Sequence, residues 1–256
     1  LGDVYKRQAQ RVASVSQYAD EFAEIYTHIK GPNDIAFTDI SNAIAAFMEF
    51  EWRSDTAPFD AFLRQQETLS SQAQKGLDLF YGEAGCANCH SGALLTDHDF
   101  HAMGQPQVGP GKAARFQSHA RDEGRFRVTG LDTDKYAFRT PSLRNVKLTG
   151  PWGHAGAYND LTLFVASHAD PIAGLANYDR LGIILTQFDA LDWRIMDDPA
   201  EVAAISNAVS VSPVSLTSDE VAEIVEFLAA LTDPSAQMGR LGVPKSVPSG
   251  LAIPNP

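Results

Sequence analysis

Residues 86–90 read Cys-Ala-Asn-Cys-His, and they contain the only two cysteines of the 256-residue chain. In this spacing each cysteine sulfur can add to one vinyl group of a haem, and the histidine that follows can bind the iron. The pattern therefore predicts one covalent haem c, attached through Cys86 and Cys89, with His90 as the proximal iron ligand.

Three other interpretations of this pentapeptide are weaker. A structural zinc site needs four ligands, and the chain has no second cysteine pair to complete one. A thioredoxin-like redox motif is expected next to a βαβ pattern, and the sequence has none. Chance is the third alternative, and the segments around the motif argue against it. Haem attachment is the preferred interpretation, and it leaves no cysteine for a disulfide.

Composition and charge restrict the classes of partner. The formal net charge is −12 and the pI about 4.9, which argues against a nucleic-acid partner. No apolar run approaches the roughly 18 residues of a membrane-spanning helix. The acidic balance suits a docking face for a basic electron-transfer protein, although solubility explains it equally well.

The periodicity of apolar residues predicts helices joined by long loops, and hence an all-α protein. The haem-bearing part is expected to be a class I cytochrome c-like domain. Its first helix begins at Ser70 or Ser71, with Ser71 and Gln74 as a candidate capping box, and leads to Cys86. The segment 92–150 has little periodicity and is a long loop. Further helices are predicted over about 15–30, after Thr38, over about 161–168, and after Thr217, where Glu220 completes a capping box.

Four regions are predicted along the chain. Residues 1–51 form the remnant of an N-terminal cytochrome c domain, of which residues 1–8 look like translated adapter sequence and are expected to be non-native. Residues 52–66 form a linker, 67–233 the haem domain, and 234–256 an extended tail. The prediction of a remnant depends on the similarity between the sequences Thr38–Phe47 and Thr217–Phe227. Each of these segments would be the last helix of one cytochrome c domain. Chance similarity between two amphipathic helices explains that likeness equally well.

Several segments besides the haem motif resemble the bacterial di-haem cytochrome c peroxidase and MauG family, from about residue 36 to the end of the chain. The most specific segment is Phe-Arg-Thr-Pro-Ser-Leu-Arg-Asn-Val at 138–146, followed by Leu-Thr-Gly-Pro-Trp-Gly-His-Ala-Gly at 148–156. The others are residues 43–47, 76–80, 86–97, 100–104 and 247–251.

The resemblance implies a function for the chain as part of a longer protein. Family members have two haem c domains: an N-terminal haem that reacts with peroxide and a C-terminal haem that accepts electrons from a small donor, a cytochrome c or a copper protein. This chain is expected to be the electron-accepting domain of a periplasmic enzyme that reduces hydrogen peroxide to water. Alone it is not expected to be a competent peroxidase. A stand-alone electron carrier and a MauG-like oxidase that modifies a protein stay open as alternatives, as does a homodimer.

The sixth ligand of the iron is predicted to be His168. Leu161, Phe164, Val165 and His168 recur at helical spacing, so the imidazole continues an apolar stripe. The resemblance implies the same position, because the family's distal ligand follows about fourteen residues after the histidine that corresponds to His154. The slot holds Met in the peroxidases and Tyr in MauG. The alternatives to His168 are Met103, Met196, His154 and an open site.

The resemblance also implies a calcium site between the two domains, to which the backbone carbonyls of Thr149 and Pro151 would contribute. An ordinary turn is the alternative. Arg139, Arg144 and Lys147 are candidates for pairing with haem propionates, and a solvated basic stretch is nearly as good an interpretation.

Overall fold

A computed structural model describes residues 2–109, 119–184 and 191–253. Leu1 and the last three residues of the predicted tail lie outside this range. The chain divides into two compact units, one made of residues 1–55 with 234–256 and the other of residues 56–233. Among the described residues, no helix is both long enough and apolar enough to cross a membrane.

Helices dominate both units, and strands are few. In the first unit the α-helices are α1 (Gly2–Ala13), α2 (Ser16–Ile25), α3 (Phe37–Glu51) and, near the C-terminus, α11 (Ser235–Met238). In the second they are α4 (Pro58–Leu63), α5 (Ser71–Tyr81), α6 (Phe126–Thr129), α7 (Leu161–Ala169), α8 (Pro171–Ala176), α9 (Pro199–Asn207) and α10 (Ser218–Ala229). The described strands are β1 (Phe100–Ala102) and β2 (Ala137–Arg139), paired antiparallel. The predicted helix-rich class is confirmed, with one small ribbon inside the long loop.

The second unit is organised around the packing of α5 against α10. The two helices approach closely because residue 76 is glycine: a β-carbon there would lie 1.9 Å from the carbonyl oxygen of Glu223. The Phe227 ring is fully buried and packs against Phe80, with ring centroids 5.0 Å apart. The predicted start of α10 is confirmed, since Thr217 and Glu220 form a capping box. The predicted start of α5 is also confirmed, but the Ser71–Gln74 capping box is wrong, because the cap is Ser70, whose hydroxyl accepts from the amide of Ala73.

Residues 52–66, predicted to be a linker, contain the helix α4 in the structure. Pro58 opens a helix, a position that suits proline because its missing N–H would have no helical partner. Asp60 accepts a hydrogen bond from the amide of Ala57, and Phe59 packs edge-on against Phe227 with ring centroids 5.2 Å apart. Residues 56–66 therefore belong to the second unit, and Phe59 is part of its core.

The first unit has its own small core, formed by Ala19, Ile29 and Ile35. Its helix α3 begins at Phe37, so Thr38 lies inside the helix and is not its cap. The carboxylate of Asp39 instead accepts the backbone N–H of Ala36 at 2.8 Å. The apolar face of α3 is largely exposed: Ile44 is 54 % exposed and Phe47 45 %.

The tail predicted as a separate extended region packs with the first unit. Arg240 donates to the backbone carbonyl of Arg53 at 3.0 Å and to the carboxylate of Asp55 at 2.9 Å. The amides of Arg240 and Leu241 both donate to the Glu51 carboxylate. Residues 234–253 are thus tied to the end of α3 and the segment that follows it.

Candidate functional site

The Cys-Ala-Asn-Cys-His segment forms a tight turn directly after α5. A glycine in the left-handed conformation, Gly85, precedes a short 3-10 turn at Cys86–Asn88. The amide of His90 donates to the carbonyl of Cys86 at 2.9 Å, which folds the histidine back beside the cysteines. Both thiols are free and partly buried. The three residues that the haem motif requires therefore lie together on one turn.

The cysteine thiols are held in their protonated form. Burial raises the pKa of Cys86 to about 11. Burial also raises the pKa of Cys89, to which the carboxylates of Asp97 and Asp99 add. Thiols activated for disulfide exchange have lowered pKa values instead. The environment therefore argues against a redox-active dithiol.

His90 is oriented by one hydrogen bond. Its Nδ1 lies 3.2 Å from the carbonyl oxygen of Leu95, and because a carbonyl only accepts, Nδ1 must carry the proton. The other ring nitrogen, Nε2, then keeps its lone pair. Burial lowers the pKa of His90, which keeps the ring neutral. A neutral imidazole with one nitrogen fixed and the other free is the form that binds a metal ion.

The structure places His168 on α7, in the predicted apolar stripe. Asp160 caps this helix by accepting from the amides of Thr162 and Leu163. Leu161 is buried in the main core, and Phe164 and Val165 pack against it. Burial lowers the pKa of His168 to about 4, with a further contribution from His90. His168 is therefore neutral at physiological pH.

His168 has no hydrogen-bond partner among the described residues, and its Nδ1 is fully buried. A buried polar atom left unpaired costs about 1–3 kcal/mol. A ring in this state fits a position whose partner is a bound group.

The rings of His90 and His168 are neighbours, with centroids 6.3 Å apart and an angle of 50° between their planes. Two imidazole nitrogens on opposite sides of one metal ion, each about 2 Å from it, place the ring centroids about 6 Å apart. The separation therefore leaves room for one metal ion between the rings. The donor set and its spacing fit a six-coordinate haem iron.

The other candidates for the sixth ligand have different surroundings from His168. His154 is engaged elsewhere: its Nε2 lies 2.9 Å from a carboxylate oxygen of Asp122, and its ring stacks on Phe138 at 3.6 Å. Met196 is buried in a second hydrophobic cluster with Tyr136 and others. Met103 follows β1 and is partly buried.

Other histidines have carboxylates as local partners. His28, which lies beyond the end of α2, contacts Asp39 at 3.1 Å. His101 contacts Asp97 at 2.8 Å, and His119 contacts Glu123 at 3.6 Å.

The three candidates for pairing with haem propionates are not equivalent. Arg144 is committed to protein groups: its guanidinium binds the Asp60 carboxylate through two bonds of 3.0 and 2.9 Å. Pairing of Arg144 with a propionate stays a prediction. Arg139 donates to Nδ1 of His98 at 2.5 Å, and Lys147 is exposed on a short turn.

The candidate calcium ligands Thr149 and Pro151 are both exposed, and they flank the cis peptide bond between Gly150 and Pro151. As isolated carbonyls they form an incomplete coordination shell for a calcium ion, which takes about 6–8 oxygen ligands.

Sequence reasoning did not find two features of this site. One is Asp60, the partner of Arg144, which lies 84 positions earlier in the chain. Pro58 followed by an acidic residue is a helix-start pattern and could have revealed the helix but not the ion pair. The other is the Leu95 carbonyl, for which the sequence carries no signal.

A helix-rich unit in which the histidine of a Cys-x-x-Cys-His turn lies close to a second histidine is typical of a c-type haem protein. The family model for di-haem cytochrome c peroxidases matches residues 2–68, which extends the resemblance towards the N-terminus. The chain is 32 % identical over 158 residues to cytochrome c551 peroxidase of Pseudomonas aeruginosa, covering 61 % of this chain and 43 % of that protein. It is also 32 % identical over 153 residues to MauG of Methylorubrum extorquens, covering 59 % and 39 %.

Solved structures support the same relationship. A MauG-like protein associated with microbial copper homeostasis matches with a TM-score of 0.62 and 26 % identity, over 91 % of this chain and 64 % of that one. The fold is also similar to that of a dihaem peroxidase from Burkholderia thailandensis, with a TM-score of 0.51 and 21 % identity. The chain spans less than half the length of the curated relatives it matches. The chain is therefore similar to di-haem cytochrome c peroxidases and to MauG.

Proposed function

We propose that residues 56–233 bind one haem c, joined covalently to Cys86 and Cys89, with His90 and His168 as the two axial ligands of the iron. The observation that carries the proposal is the closeness of the two imidazole rings, whose centroids are 6.3 Å apart. The free thiols on the same turn and the unpartnered His168 ring support it.

The residues of the site have separate tasks in this proposal. The two cysteines fix the porphyrin to the turn. Leu95 holds His90 in the tautomer that leaves Nε2 free, and the burial of His168 keeps its ring neutral and ready to bind. When bound, the haem supplies one-electron redox chemistry. With both His90 and His168 bound to the iron, the site would suit electron transfer and would leave no coordination position for peroxide.

We infer that the chain is the electron-accepting, C-terminal part of a di-haem peroxidase that reduces hydrogen peroxide to water. The basis is the similarity to cytochrome c peroxidases and the short span of the chain relative to them. Residues 1–51 would then be the end of an N-terminal cytochrome c domain, and their match to the family model supports this. A class I cytochrome c-like fold is the corresponding proposal for residues 67–233.

Location, partners and calcium follow from the same proposal. Haem c is attached outside the cytoplasm, so the site of action would be the periplasm. The acidic chain, with its net charge of −12, suits a small basic electron donor. Calcium at Thr149 and Pro151 would need further oxygen ligands, which the family's interdomain site would supply.

Covalent haem is tested by expressing the chain with a haem c maturation system. We expect a mass increase of one haem that survives denaturation, and Cys86→Ala with Cys89→Ala should abolish it. A folded product without haem would refute the proposal.

The purified chain should also fail to turn over peroxide with reduced cytochrome c. Sustained turnover with an unchanged low-spin spectrum would contradict the assignment of two filled axial positions.

A further inference from the structure

Three consecutive backbone carbonyls lie behind the proximal histidine, and each accepts a hydrogen bond from a different side chain. Arg144 Nε donates to Ala93 at 2.8 Å, and the Ser142 hydroxyl donates to Leu94 at 2.6 Å. The third carbonyl, of Leu95, accepts the Nδ1–H of His90 at 3.2 Å. Two side chains of the 138–146 segment thus hold the same short stretch of backbone that orients His90.

The backbone of residues 93–95 needs contacts from other residues to keep its conformation. Leu95 has a φ of +53°, a left-handed conformation that costs a residue with a side chain about 1–3 kcal/mol and persists only when its surroundings fix it. Its side chain is 1 % exposed, so the core fixes one side of the residue. Leu94 is 50 % exposed, so packing restrains it little. The hydrogen bonds from Ser142 and Arg144 restrain the backbone on the exposed side.

Both donors are themselves fixed in place. Arg144 is anchored by the two hydrogen bonds from its guanidinium to Asp60, whose side chain is 7 % exposed. The hydroxyl of Ser142 also accepts the backbone N–H of Arg144 at 3.2 Å. Each of these two side chains therefore holds its donor atom at a fixed position, independently of any movement of residues 93–95.

We propose that Ser142 and Arg144 are positioning residues for the haem iron: by binding the carbonyls of Leu94 and Ala93 they keep the Leu95 carbonyl at Nδ1 of His90. The inference rests on the proposed function, in which His90 binds the iron. A hydrogen bond at Nδ1 makes the opposite nitrogen more basic and so stabilises the ferric state. Through His90, the two residues therefore lower the reduction potential of the haem.

The test compares variants in the haem-loaded chain. Ser142→Ala and Arg144→Ala should raise the reduction potential by about 30–60 mV, which corresponds to a roughly three- to tenfold rise in the ferrous-to-ferric ratio. Ser142→Thr keeps a hydroxyl and should restore the parent potential. The control for serine is Ser41→Ala, since Ser41 also donates to a carbonyl, of Phe37 at 3.0 Å.

The control for arginine is Arg180→Ala. Arg180 also binds a carboxylate and a backbone carbonyl, those of Asp197 and Met196. Neither control should shift the potential.

Electron paramagnetic resonance adds a second readout, because the g values of a low-spin ferric haem depend on the angle between its axial imidazole planes. They should change in the Ser142→Ala and Arg144→Ala variants only.

A third readout does not need haem: nitrogen NMR of the His90 ring in the chain expressed without the maturation system. The Nδ1–H tautomer should dominate in the parent and lose its dominance in Ser142→Ala. Unchanged potential, g values and tautomer in a folded Ser142→Ala variant would overturn the inference. If Arg144→Ala does not fold, Ser142→Ala decides, because it removes one side-chain hydroxyl. If Ser142→Ala changes the tautomer as expected but the parent chain takes up no haem, the proposed function alone is refuted.

Discussion

Helices α3 and α10 have similar sequence patterns and opposite surroundings. Phe227 on α10 is 0 % exposed and Ile224 is 2 % exposed. On α3 the corresponding Phe47 is 45 % exposed and Ile44 54 % exposed. An amphipathic pattern therefore specifies which face of a helix is apolar, but the cover for that face has to come from elsewhere in the protein.

The difference lies in the partner helix. Helix α10 is covered by α5, which reaches it closely because of Gly76. Within the described residues, the apolar face of α3 around Ile44 and Phe47 has no comparable cover. This agrees with the proposal that residues 1–51 are the end of a second haem domain, whose own counterpart of α5 would cover that face.

The largest difference is expected from removing the two phenylalanines. Phe227→Ala should destabilise the 56–233 unit by about 3–5 kcal/mol, because it leaves a cavity among buried rings. Phe47→Ala should change stability by less than about 0.5 kcal/mol, as for other exposed positions. Hydrogen exchange of the amides of α10 and α3, followed by mass spectrometry, measures both. Equal losses of protection would show that the two helices are equally covered in solution.

A smaller effect is expected at the crossing of α5 and α10. Gly76→Ala places a β-carbon against the backbone of Glu223, so the helices must move apart, at a cost of about 1–3 kcal/mol. Gly182→Ala is the matched control, because a β-carbon at residue 182 would have no described atom within 4 Å. Urea unfolding measures both. A neutral Gly76→Ala would mean that the close approach is not needed.

The smallest effect concerns the helix starts. Thr217→Ala removes the cap of α10 and should cost about 1 kcal/mol, whereas Thr38→Ala should be nearly neutral because Thr38 does not cap α3. Hydrogen bonds from the backbone N–H and hydroxyl of Thr217 lower the pKa of Glu220. The stabilisation by Glu220 is therefore present at neutral pH and is lost as the pH falls through the pKa of Glu220 in the folded protein.

Thermal unfolding at pH 7 and pH 3 measures the loss of stability caused by Thr217→Ala. A loss that is not smaller at pH 3 would contradict this role of Glu220.

Local patterns in the sequence predicted the elements that depend on local interactions. The haem turn follows from the spacing of Cys86, Cys89 and His90, and α7 follows from the stripe that ends at His168. The helix within residues 52–66 was not predicted, because the value of Phe59 as a core residue depends on Phe227, far along the chain. The Arg144–Asp60 pair was missed for the same reason. Contacts between distant positions leave no periodic signal in one sequence.

The central claim is that the iron of a covalent haem lies between His90 and His168. The absorption spectrum of the ferric chain, recorded into the near infrared, tests it with His168→Ala and His154→Ala as a matched pair. We expect a low-spin parent without the weak band of sulfur–iron ligation, a high-spin His168→Ala variant, and a His154→Ala variant like the parent. A parent-like His168→Ala together with a high-spin His154→Ala would contradict the claim and place the ligand at His154.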